Sequence, residues 1–81
     1  PVTRNIALAN GDRLIEIASI PGASYAVEYS SDMLTWKRVV PNIVAPANRL
    51  QWIDSGPPKT ESHPSTVPSR FYRFVLLTST R

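Results

Sequence analysis

His63 is the one histidine in a chain of 81 residues that has no cysteine. An imidazole can act as a general base or activate a hydroxyl, and Ser62 and Ser65 stand close on either side of this one. The local sequence offers neither an orienting carboxylate nor the glycines of an oxyanion hole, so His63 reads as an exposed loop histidine. The other acid–base candidates are Asp32 with Asp12, or Glu16 with Glu28. Nothing in the spacing holds either pair within the ~5–10 Å that glycoside chemistry requires. The absence of cysteine removes disulfides, thiolate metal sites and a thiol nucleophile together. No catalytic residue, metal ligand or cofactor site is expected, and the chain does not read as an enzyme.

Aromatic side chains form the second set with chemical potential: Tyr25, Tyr29, Trp36, Trp52, Phe71, Tyr72 and Phe74. Exposed and coplanar, such rings stack on sugars. Here they fall at alternating positions of β-like runs, where a small sandwich needs bulky inward residues. Phe71 is the exception: with Tyr72, Phe74 and Leu76 inward, Phe71 and Arg73 face outward, suited to a partner or a neighbouring domain.

Nine Lys and Arg against six Asp and Glu give a net charge of +3. The arginines are scattered (Arg4, Arg13, Arg38, Arg49, Arg70, Arg73, Arg81), and Lys37-Arg38 is the one adjacent cationic pair. No basic run tracks a phosphate backbone, so nucleic acid is not an expected partner. The longest apolar run, Phe74–Leu77, is far short of the ~18 residues of a membrane span, and no membrane insertion is expected. The chain begins at Pro1 without a signal-like segment, which reads as a piece of a longer or processed protein.

These residues must be positioned by strands. Eight prolines punctuate short runs rich in Val, Ile, Thr and aromatics, and no segment sustains an apolar stripe at helical period. Asn10-Gly11 predicts a two-residue type I′ hairpin that sets Leu8 opposite Arg13, Ile6 opposite Ile15 and Arg4 opposite Ile17. Ile6, Leu8, Ile15 and Ile17 then share the core face, and Asn5, Ala7, Leu14 and Glu16 the other. Ile20-Pro21-Gly22-Ala23 predicts a type II turn. In residues 24–30, Tyr25, Val27 and Tyr29 point one way, while Ala26 and Glu28 mark a wet side. Ser30-Ser31-Asp32 supplies a side-chain-bonded turn. The chain then resumes as a strand through Trp36 to Val40. A competing reading starts a helix at Asp32, with Met33, Trp36 and Val40 on one face. Leu50 and Trp52 are expected inward on the next strand, and the last, apolar on both faces, reads as central. The proline-rich segment 55–69 is either a functional loop or a flap, and its composition favours the flap.

The expected fold is therefore all-β: a single domain over 1–81, a small antiparallel β-sandwich of six or seven strands. The strands are placed near 3–9, 12–20, 24–30, 35–40, 48–54 and 70–78.

Two resemblances bear on this. Ser30-Ser31-Asp32-Met33-Leu34-Thr35-Trp36 resembles the S-x-D-x-G-x-T-W Asp-box of sialidase propellers, shortened by one residue and lacking the glycine. Because no second copy exists, the likeness implies only a turn closed by Ser and Asp and covered by Trp. The wider succession Pro21-Gly22…Tyr25–Ser30, Asp32…Trp36, Trp52-Ile53-Asp54 and Arg70-Phe71-Tyr72-Arg73 resembles small fibronectin type III-like, immunoglobulin-like modules of bacterial secreted or surface proteins. That likeness covers roughly 12–78, with Ile17 where the family has an aromatic and a longer last loop. It implies a non-catalytic accessory, spacer or protein-interaction module at the cell surface or outside the cell, whose partners are neighbouring domains or another protein. It transfers no site residues. Three rivals have structural criteria. A carbohydrate-binding module attached to a polysaccharide-acting enzyme needs two of Trp36, Trp52, Phe71 and Tyr72 exposed and coplanar. An enzyme fragment whose site a missing domain completes needs a polar cleft near the 55–69 loop containing His63, and a fully mobile loop with no neighbouring carboxylate counts against it. Nucleic-acid binding needs Arg13, Arg38, Arg49 and Arg73 on one face.

Overall fold

The structure, a computed structural model, describes residues 2–78; Pro1 and Arg81 lie outside the described residues. Seven strands follow in order: β1 (Val2–Ala7), β2 (Arg13–Ala18), β3 (Ser24–Ser30), β4 (Lys37–Arg38), β5 (Ile43–Val44), β6 (Arg49–Asp54) and β7 (Phe71–Thr78). They form two antiparallel sheets. One has the order β1-β2-β6; the other is centred on β3. Tyr25 pairs with both Ile43 and Leu76, and Glu28 with both Arg38 and Arg73, so β4 and β5 flank β3 on one side and β7 on the other. The fold is an all-β sandwich, and no α-helix forms at Asp32.

The first hairpin differs from the sequence expectation by one residue of register. Ala7 pairs with Arg13, Ile6 with Leu14 and Asn5 with Ile15. The reason is the turn. Gly11 has φ 91° while Asn10 stays on the negative side, so only one residue takes the left-handed region where a type I′ turn needs two. Gly11 N–H donates to the Leu8 carbonyl at 2.9 Å and Leu8 N–H to Asp12 at 2.8 Å, closing a three-residue loop. Asn10 spends its side chain on Asp12, accepting from its N–H at 3.0 Å. A one-residue slip moves the β1 side chains from Arg4 to Ala7 to the opposite face, and the bulge between Val2 and Arg4 returns Val2 to the core side. Ile6 is therefore exposed, beside Leu14 on the outer face, while Asn5 and Ala7 take the side of Ile15 and Ile17. Leu8 is half-buried in the loop.

The second turn forms as type II, with φ 82° at Gly22 and Ala23 N–H donating to the Ile20 carbonyl at 3.0 Å. It leads into β3, which is buried on both faces rather than wet on one. β3, not β7, is the central strand. β7 lies at the sheet edge, and Leu76, expected inward, is 48% exposed. The strand expected through 35–40 shortens to β4, with Val39 N–H still donating to the Val27 carbonyl at 2.8 Å; Pro41 has no N–H for the ladder, and beyond it β5, unforeseen, resumes the pairing.

The core lies between the sheets. Ile15, Val27, Tyr29, Val39 and Trp52 form one group, and Ile17, Ala23, Tyr25, Ala45 and Leu50 the other. Val2, Ile43 and Phe74 pack against both. Trp36 is not in this core; it is half-buried on the outer face of the β3 sheet.

Candidate functional site

Segment 55–69 decides what the sequence candidates can do, and the structure ties it down. Asp54, at the end of β6 and fully buried, anchors it. Its carboxylate accepts from Gly56 N–H at 2.9 Å, Thr60 Oγ1 at 2.7 Å, Arg70 Nη1 at 3.0 Å and Tyr72 Oη at 2.6 Å. Arg70 also donates to the Ser62 carbonyl and hydroxyl, and Glu61 N–H donates to Tyr29 Oη at 3.0 Å. Lys37 pairs with Glu61 across the rim. A segment whose donors and acceptors are spent this way is a fastened crossover, not the flap its composition favoured.

Burial alone pushes the Asp54 carboxyl up. The hydrogen bonds from Tyr72, Thr60, Gly56 and Arg70 outweigh it and hold the group below its ordinary value. The same contact acts on Tyr72 in reverse: burial first, and then the Asp54 carboxylate, push the phenol well above its usual range.

His63 does have an orienting carboxylate. Its Nε2 lies 2.7 Å from Asp12 Oδ1 and its Nδ1 2.7 Å from Ser65 Oγ, a serine–histidine–aspartate line. Ser65 N–H also donates to Nδ1 at 3.2 Å, which makes Nδ1 the acceptor and turns the Nε2 proton toward Asp12. Sequence reasoning missed this because Asp12 lies in the first hairpin, 51 positions away. Acyl transfer requires, beyond this line, N–H donors aimed at the oxyanion. The backbone donors around Ser65 are engaged: Ser65 on Nδ1, Thr66 on the His63 carbonyl, Val67 on Pro64 and Gly11 on Leu8. The line works as a clasp. His63 caps the short 3₁₀ turn Pro64–Thr66 and fastens the crossover to the first hairpin. A cleft of about 220 Å³ between this crossover and the Ser30–Thr35 turn is lined by Tyr29, Thr35, Lys37, Glu61 and Arg70 among others, and His63 is not part of it. Asp12 and Asp32, and Glu16 and Glu28, serve separate hydrogen-bond partners and form no acid–base pair.

The turn at Asp32 is closed by the side chains of Ser30 and Asp32, as expected from the sequence. Ser30 Oγ accepts from Asp32 and Met33 N–H, and Asp32 Oδ1 accepts from Leu34 N–H at 2.8 Å and Thr35 N–H at 2.9 Å. Bonds from Thr35 and Leu34 hold the Asp32 carboxyl below its usual value. Met33 carries φ 63°, the left-handed conformation that favours glycine.

The aromatic set does not assemble into a sugar platform. Trp52 is buried and meets Tyr72 edge-on at 6.0 Å, and Tyr72 spends its hydroxyl on Asp54. Trp36 has the Arg73 guanidinium 4.0 Å from its ring centre. Of the four rings considered for sugars, only Phe71 is exposed.

The arginines also separate. Arg38 and Arg73 both bond Glu28 on the outer face of the β3 sheet, at 2.9 and 2.7 Å. Arg49 lies beside Glu16 on the other sheet, and Arg13 bonds Asn5. They share no single face. The Arg73 hydrogen bond, ahead of the opposing effect of burial and with help from Arg38, holds the Glu28 carboxyl below its ordinary value.

Large apolar side chains are exposed as well. Met33, Leu34, Val40, Val44, Phe71, Leu76 and Leu77 are exposed on the β3 sheet or its connections, against Ile6, Ile20 and Ile53 elsewhere among the described residues. Comparison with known proteins returns no matching family model, no matching curated protein and no matching solved structure.

Proposed function

We propose that this chain is a fibronectin type III-like accessory module, a spacer or protein-interaction domain of a larger secreted or cell-surface bacterial protein. One observation carries the reading: the reactive side chains are spent on fastening the fold, while large apolar side chains stay exposed, most of them on the β3 sheet or its connections. A catalytic domain does the opposite, leaving polar groups convergent and open in a cleft. The order β1-β2-β6 facing a β3-centred sheet supports the family likeness, as does the agreement of the Pro21-Gly22 turn, the Trp52–Asp54 strand end and the Arg70–Arg73 strand start with the elements that carry it.

A ¹⁵N–¹H correlation spectrum of the 81 residues, recorded alone and with a panel of polysaccharides, tests the reading. Dispersed peaks indifferent to the sugars are expected. Peaks that shift, led by the indole protons of Trp36 or Trp52, would replace it with the carbohydrate-binding alternative.

A further inference from the structure

We propose that the free edge of β7 takes up an extended, acidic β-strand from a protein partner, with a carboxylate of that strand reaching Arg73. The inference rests on the interaction-module reading and gives its partner a chemistry.

A two-sheet sandwich has four edges, and unguarded edges pair with other chains. Three are blunted here. β1 is broken by a bulge between Val2 and Arg4. β6 has its Ile53 carbonyl capped at 2.8 Å by Nζ of Lys59 from the crossover. β4 and β5 are two residues each, interrupted by Pro41. β7 is different: eight residues, Phe71–Thr78, with no proline, glycine or lysine, paired among the described residues with β3 alone. Phe71, Leu76 and Leu77 along it are exposed.

Charge selects the occupant. Arg38 and Arg73 share the single carboxylate of Glu28, which leaves an excess positive charge there, and β7 has no acid of its own. The Arg73 side chain is 49% exposed. A second copy of this chain would bring another arginine to the seam, whereas a strand with Asp or Glu opposite Arg73 supplies the missing counter-charge. Main-chain bonds to the edge provide the affinity, and the alternate side chains the choice of partner.

The test titrates the ¹⁵N-labelled chain with a nine-residue peptide of alternating Thr and Val bearing a central Glu, and with the same peptide bearing Lys. Shifts along residues 71–77 are expected, with the Glu peptide roughly fivefold tighter, as an exposed ion pair allows. Arg73→Gln should erase that preference while binding persists, and Leu77→Lys should weaken both peptides. Equal affinity for the two peptides in the unaltered chain would overturn the acidic assignment. A well-dispersed spectrum with no β7 shifts would overturn strand uptake and leave the accessory-module reading standing. β7 shifts that follow chain concentration alone would assign the edge to a second copy instead. Loss of the accessory reading itself has a separate signature, indole shifts with polysaccharide.

Discussion

Arg70 Nη1 lies 3.0 Å from Asp54 Oδ2, with the two side chains only 5% and 0% exposed, at the point where β6 hands over to the crossover and the crossover to β7. The pair is competent because its remaining lone pairs and protons are taken by Thr60, Gly56, Tyr72 and Ser62. Among the described residues no buried side-chain polar atom lacks a partner.

Removing one member of such a pair leaves the other as an unpaired buried charge. Asp54→Asn should therefore cost about 3–5 kcal/mol. A domain of this length has only about 4–12 kcal/mol in total. Urea unfolding followed by Trp52 fluorescence reads the loss; a midpoint shift of less than a quarter of the unaltered value would contradict it.

The pH range of stability follows from the same groups. Asp54 and Glu28 are held below their ordinary values, so their contribution is complete above about pH 5 and fades as pH falls through the folded values. Tyr72 is raised, so its contribution is complete below about pH 10 and fades as pH climbs further. Thermal unfolding between pH 2 and 12 should show a plateau between those limits. Tyr72→Phe should flatten the alkaline limb and leave the acid limb in place.

Gly11 serves two purposes at once. Its φ of 91° suits the turn, and a Cβ there would meet Ser65 Cβ at 3.3 Å and His63 Cε1 at 3.4 Å. Gly11→Val should destabilise by at least about 1–2 kcal/mol from the left-handed backbone alone, and shift the His63 ring resonances as well. Unchanged unfolding together with unchanged ring signals would show the turn to be misassigned.

Met33 is the converse case. It holds φ 63° while 58% exposed, so its side chain contributes little packing. Relief of the left-handed strain, about 1–2 kcal/mol, exceeds the extra backbone entropy of glycine, about 0.5–1 kcal/mol. Met33→Gly should raise stability by about 0.5–1 kcal/mol, seen as a higher denaturation midpoint at an unchanged slope.

Where local chemistry has one solution, the sequence was enough. Pro21-Gly22 admits a type II turn and little else, and the alternation in 24–30 places Tyr25, Val27 and Tyr29 inward, as found. Asn10-Gly11 has two solutions, a two-residue and a three-residue loop, which differ in the backbone of Ala9 and Asn10; the Asn10–Asp12 contact sides with the longer. The fastening of 55–69 was illegible for a different reason. Asp54 and Arg70 flank it, but its other partners Asp12, Tyr29 and Lys37 lie 24 to 51 positions away, and nothing local announces those. The same holds for Glu28, which reads as a wet-face residue until two distant arginines fold over it.

The pairing of β3 with β7 joins Ser30 to Phe71 and Ser24 to Thr78. At roughly 5–20 residues per second of synthesis, the stretch between them takes on the order of several seconds to leave the ribosome. Throughout that interval the strand that centres the second sheet waits without the neighbour that will cover one of its sides. The two-residue β4 and β5 reach it earlier, on the other side. Contacts this far apart in sequence close slowly in any case. The Asp54–Arg70 pair spans only 16 positions and holds the chain just before β7 against the end of β6.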